Sequence, residues 1–244
     1  SVAMTAGHNL ILCNTNNDPK RELEYVDILL HQRVGGVLIC GSRLDEAGLT
    51  YVTKRLPAVI LTPLAIPDAT LFTIDSYSGS REITQYLLGL GHRRIGHLRG
   101  DSWLSPGAGG RYAGYLAALE EARVNMTDPP VVNIGEITCE GGYDAALKLI
   151  KSDPAITALV CHNDLFAIGA MSACMEAGLH VPEDISITGF DDIPLATLVR
   201  PTLTTMHVNR HDIGTAMMTS LLSVIAGMSP AERQMIKPHI AVRE

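Results

Sequence analysis

"DISITGFDDIPLA", residues 184–196, opens as a strand and closes on paired acids. Ile185 and Ile187 alternate with Ser186 and Thr188; the run stops at Gly189, and Phe190, Asp191 and Asp192 follow. A buried strand that ends in two adjacent carboxylates is a strand tip built to meet something polar. The same pattern recurs along the chain. Apolar β-like runs fall at 10–13, 36–40, 58–61, 71–74, 95–98, 131–134, 158–161, 185–188 and 203–206. Several are apolar on both faces, as parallel strands covered by helices must be.

Amphipathic stretches alternate with these runs. Asp18-Pro19 predicts an N-cap and a first-turn proline for a helix over 19–33. Further helices are expected over 111–123, over 163–177 before Gly178, and over 210–227. Strand–helix alternation of this kind predicts an α/β architecture with doubly wound parallel sheets.

Composition narrows the function. With 244 residues and 46% of them apolar, the chain can bury a large core. Its net charge of −7 opposes direct binding to nucleic acid. The short cationic run His92-Arg93-Arg94 reads as a solvated turn. Five cysteines lack C-x-x-C spacing, and Cys13, Cys40 and Cys161 end apolar runs, where a thiol behaves as a small buried hydrophobe. No spanning segment or signal peptide is visible, so a reduced cytoplasmic setting without membrane contact is expected.

Ligands of open α/β sheets sit beyond the carboxyl ends of the strands. The polar tips here include Thr62, Asp75-Ser76, Arg99-Gly100-Asp101, His162-Asn163-Asp164 and Asp191-Asp192. For the last pair three readings stand: capping of a short turn, part of a metal site, or acceptance of ligand hydroxyls. Asp191 is assigned the ligand role and Asp192 the structural one. No G-x-S-x-G, H-E-x-x-H or P-loop motif occurs, and "GAGGRYAG" (107–114) fails the dinucleotide spacing. No enzyme activity, cofactor or metal is expected.

From end to end the chain resembles the effector-binding domain of the lac-repressor/GalR family of bacterial transcription regulators, which has the type I periplasmic binding protein fold. The resemblance rests on "LILCNTNNDPKRELEYVDILLHQRVGGVLI" (10–39), "FTIDSYSG" (72–79), "LGHRRIGHLRG" (90–100), "GGRYAGYLAALEE" (109–121), "TALVCHNDLFAIGAM" (157–171) and "EAGLHVPEDISITGFDDIPLATLVRPTLTT" (176–205). It implies two doubly wound lobes joined by three crossovers, 1–100 with 209–230 and 101–208 with 231–244. A helix-turn-helix DNA-binding domain, the first strand and most of the first helix of the fold would lie outside this sequence.

By motif position the resemblance implies an effector site of Arg111, Asn163 and Asp191 in the cleft between the lobes, with Asp75, Ile137 and Trp103 as further candidates. Thr62-Pro63 stands where pentose- and hexose-binding members carry Asp-Arg, and Ser105 and Gly107 stand where the purine repressor reads its base. A carbohydrate-like small molecule is therefore expected, rather than a purine or a common pentose. Partners would be operator DNA, through the domain outside this sequence, and a second copy in a homodimer. A solute-binding protein of a transport system, built on the same fold, is the alternative.

Overall fold

The computed structural model describes residues 2–100, 108–124 and 129–243. The chain starts in a first unit with the short helix α1 (Val2–Thr5), followed by α2 (Pro19–His31), β1 (Val37–Cys40), α3 (Glu46–Thr53), β2 (Ala58–Leu61) and β3 (Thr70–Ile74). It crosses to a second unit after Ile74. There it forms α4 (Ser76–Gly89), β4 (Ile95–Gly100), α5 (Ala108–Glu121), β5 (Val131–Ile134), α6 (Cys139–Ser152), β6 (Ala158–Cys161), α7 (Asp164–Glu176), β7 (Ser186–Asp191) and β8 (Thr204–His207). It returns to the first unit for α8 (Arg210–Ile225) and β9 (Gln234–Ile236), then ends in the second with β10 (His239–Ala241).

The first unit is a four-stranded parallel sheet in the order β1-β2-β3-β9. Its core packs Leu49, Val52 and Ile60 at essentially zero exposure. The second is a six-stranded sheet in the order β10-β8-β7-β6-β4-β5, parallel except where β10 runs against β8. Leu98, Leu159, Phe166 and Ile185 form its buried centre.

Three expectations need correction. The lobe boundary falls at Ile74–Asp75 and not at residue 100, because β4 ladders between β5 and β6 and carries residues 75–100 into the second unit. The last return falls at 236–237 and not at 230, because Gln234–Ile236 first extends the other sheet alongside β3. The apolar run 10–13 forms no strand. Leu10 and Leu12 stay 63% and 95% exposed, and the run borders a hollow of about 700 Å³ shared with Val37, Ile39 and Leu221. β-propensity makes a strand only where a neighbour completes the backbone ladder, and among the described residues none pairs with this run.

Smaller revisions concern charge and sulfur. Cys161 is buried as expected, whereas Cys40 is exposed and Cys13 half-buried. His92-Arg93-Arg94 is a brace and not a solvated turn. His92 bonds Thr157 and Ser186, and Arg94 pairs with Asp153 at 2.5 Å, so the run ties together the amino ends of β4, β6 and β7.

Helix pairs in the second unit approach through glycine. At Gly169 of α7 an added Cβ would lie 2.0 Å from the Cys139 carbonyl oxygen and 2.6 Å from the Tyr143 nitrogen of α6. Alanine would gain about 1 kcal/mol in helix propensity, but it must push two backbones apart. Gly169→Ala is therefore expected to lower stability by about 3 kcal/mol in urea unfolding; an unchanged midpoint would show that the two helices do not meet this closely.

Candidate functional site

The carboxyl ends of β4, β6 and β7 carry the polar residues singled out above. The β4–β6 register pairs Leu98 with Cys161, and the next amide, His162, donates to the Leu98 carbonyl at 2.8 Å. Asn163 then caps α7, its Oδ1 accepting from the Phe166 amide at 3.0 Å. β7 ends in an unusual turn: Asp191 has φ 104° and Asp192 φ 54°, both in the left-handed region. Each such residue costs on the order of 1–3 kcal/mol and persists only when its surroundings enforce it.

The enforcing group is Asp164, fully buried at the start of α7. Its Oδ2 accepts the Ile193 amide at 2.7 Å, and its Oδ1 accepts the Thr205 hydroxyl at 2.5 Å. One carboxylate thus fastens the turn after β7 to the neighbouring strand β8. Gly189 makes room for it, since a Cβ there would sit 2.2 Å from Asp164 Oδ1. Burial pushes the Asp164 carboxyl up to about 6, against its two hydrogen bonds and helped by the charges of Asp191 and Asp192.

Asp192 is consumed by structure, as the sequence reading assigned. His207 Nδ1 lies 2.6 Å from one carboxylate oxygen and the Arg243 guanidinium 2.7 Å from the other. Burial works against ionisation there, but these two partners hold the carboxyl below its usual range.

Asp191 meets Arg111 of α5 at 3.2 Å. That is long for a charge-assisted bond, which typically closes to about 2.7–2.9 Å. The Arg111 side chain is only 13% exposed; it donates to the His162 carbonyl at 2.5 Å and lies 3.8 Å over the Phe190 ring. The guanidinium is therefore clamped from two sides, while the Asp191 side chain keeps 32% exposure. A carboxylate has about four lone-pair directions, so a fixed cation and a partly open anion side by side can receive the acceptors and donors of a polar ligand.

The structure thus brings Arg111 and Asp191 together and places Asn163 next in sequence to the carbonyl that Arg111 grips. Two of the other candidates have structural contacts of their own. Asp75 is the N-cap of α4, accepting from the Ser78 amide at 3.0 Å, and it opens the second unit instead of standing in the first lobe as expected. Ile137 packs on the second unit's core, which is where an aliphatic side chain is most stable. Trp103, Ser105 and Gly107 lie outside the described residues. Missed from sequence were Asp164, whose partners are 29 and 41 residues away, and Arg243.

Parallel sheets with ligand-type polar tips and two chain-crossed units define a ligand-sensing domain of the periplasmic-binding kind. A family model described as "Periplasmic binding protein-like domain" matches residues 84–244. The chain is 34% identical over 246 residues to the HTH-type transcriptional repressor PurR of Haemophilus influenzae (strain PittEE), covering 98% of this chain and 72% of that one. PurR of Serratia proteamaculans is 35% identical over 237 residues, with 96% and 69% coverage.

Among solved structures, transcription regulator GntR from Chromobacterium violaceum aligns at 30% identity and TM-score 0.87, over 99% of this chain and 89% of that one. A transcriptional regulator CelR–cellobiose complex aligns at 27% and 0.88, over 100% and 76%. The chain belongs to the LacI/GalR family of transcriptional regulators, as its effector-binding domain. Its relatives are transcriptional regulators and not enzymes. No helix among the described residues is long and apolar enough to cross a membrane.

Asp164 gives a signature in pH. Its folded carboxyl titrates above its unfolded value, so the folded state binds the proton more tightly. This group's contribution is greatest below about pH 4, declines as pH rises to about 6 and is constant beyond. The rise from the ordinary carboxyl value to about 6 corresponds to about 3 kcal/mol. Asp164→Asn is expected to remove that decline from a urea-unfolding series between pH 4 and 6; parallel curves for both proteins would contradict the assignment.

Proposed function

We propose that this domain senses a small polyhydroxylated effector, a sugar or sugar derivative, through Asp191 and Arg111 with Asn163. The carrying observation is the Arg111–Asp191 pair, a clamped guanidinium beside a partly exposed carboxylate on an enforced left-handed turn. Vicinal hydroxyls both donate and accept. Asp191 takes their hydrogens, Arg111 donates to their oxygens, and each charged bond contributes about 1.5–3 kcal/mol.

The likeness to a regulator solved with cellobiose supports a carbohydrate. A purine base is the second reading, favoured by the curated relatives named PurR. Effector binding would bias the orientation of the two units and so the affinity of a homodimeric repressor for its operator. A coupling of about 1–3 kcal/mol between the two ligands is enough for regulation.

The test is a thermal-shift screen of sugars, sugar acids, sugar phosphates and purine bases. A true effector at 100 times its dissociation constant stabilises the fold by about 2.7 kcal/mol. Asp191→Asn, which tolerates the left-handed turn, is expected to leave the unliganded melting temperature unchanged and to weaken the effector at least tenfold. A large loss of stability without ligand, or undiminished binding, would assign Asp191 to structure instead.

A further inference from the structure

A second group of nitrogen-bearing side chains stands near the Arg111–Asp191 pair, with several nitrogens that have no hydrogen-bond partner among the described residues. Arg99, two residues beyond His97 on β4, extends its guanidinium 4.7 Å over the Tyr112 ring of α5. It forms no ion pair among the described residues, and its Nε is buried without a hydrogen-bond partner. His97 meets Tyr112 edge-on and Tyr115 at a tilt, with both ring nitrogens unpartnered. At the tip of the adjacent strand, His162 is 5% exposed, its ring lies against Gly100, and its Nδ1 has no partner.

Buried polar atoms of this kind are nearly always paired, and here several fall together. Their electrostatics agree. Burial, Arg99 and Arg111 push His97 down to about 3; burial, Arg111, His97 and Arg99 hold His162 well below the usual imidazole range. Both rings therefore stay neutral, chiefly because they are buried, with the nearby cations acting in the same direction. Among the described residues, Asp191 ion-pairs with Arg111. Asp164, next in sequence to Asn163, is committed to Ile193 and Thr205, and Asp192 to His207 and Arg243. Among the described residues, Arg99 and Arg111 thus add positive charge locally within a chain of net charge −7.

We propose that the effector carries an anionic group, a phosphate monoester or a carboxylate, which Arg99 and His162 receive beside the hydroxyl-binding pair. This rests on the effector site proposed above and adds the charge of its ligand. The Arg99 guanidinium supplies a planar donor fork suited to either oxyanion. Neutral His162 can hold its proton on Nδ1 and donate it. An arriving negative charge would offset Arg99 and Arg111. A neutral sugar would leave both groups unsatisfied and would bind less tightly.

The experiment is isothermal titration of the whole chain with matched sets: glucose, glucose 6-phosphate and gluconate, and the ribose, ribose 5-phosphate and ribonate series. The wild-type protein is expected to bind an anionic member at least tenfold more tightly than its neutral parent, and the phosphate and carboxylate members separate the two sources. Arg99→Gln is expected to remove that preference, Arg99→Lys to restore part of it, and both to keep the wild-type unliganded melting temperature. A neutral sugar that binds best, with dependence on Asp191 and none on Arg99, would overturn this inference and leave the proposed function standing. An anion bound equally by wild type and Arg99→Gln would overturn it as well. No binding by any member would contradict both.

Discussion

The buried carboxylate of Asp164 is the constraint on which the second unit's functional end depends. It has no water to solvate it, so it must be satisfied by the fold, and it takes the Ile193 amide and the Thr205 hydroxyl. Those two bonds fasten the segment after β7 to β8 and keep two consecutive aspartates in a backbone region they seldom enter. With the turn fixed, the adjacent acids part company. Asp192 turns to His207 and Arg243, while Asp191 meets Arg111. One buried charge thereby decides which of two neighbouring carboxylates is structural and which can receive a ligand.

The helices place the remaining groups by close approach. Gly114 of α5 lies against the Tyr77 carbonyl of α4, where a Cβ would sit 2.2 Å away. That contact sets α5 on the sheet so that Arg111 reaches the His162 carbonyl and the Phe190 ring, while Tyr112 covers His97 and Arg99. Interiors packed at this density transmit displacement without absorbing it. A group seated on Arg111 therefore acts on the whole edge of the sheet.

Much of this was legible in the sequence. Apolar runs separated by amphipathic stretches marked β1 to β8 in their order of appearance but not the short strands β9 and β10, and the acids after Gly189 marked the tip of β7. A structural role for Asp192 could be expected from the sequence, but it is filled by His207 and Arg243 and not by capping the turn before Ile193-Pro194. Asp164 was not legible: Asn163 beside it is a good helix cap, and the bonds that matter reach 29 and 41 residues along the chain. The crossing at Ile74–Asp75 was hidden for the opposite reason. It is a tight strand-to-helix passage without linker composition, whereas the Ser-, Pro- and Gly-bearing segment after Gly100 looks like a linker. The run 10–13 shows that composition states a preference for β structure and says nothing about whether a partner strand is there to meet it.

Hydrogen exchange at the Ile193 amide tests the central claim most directly. This amide lies in a turn near the protein surface, and its acceptor among the described residues is Asp164. In the wild-type protein it is expected to be strongly protected, and in Asp164→Ala to exchange close to the unstructured rate while amides at the centre of β6 keep their protection. An Ile193 amide that exchanges freely in the wild type, or equally slowly in both proteins, would show that the acid turn is held by something other than the buried carboxylate.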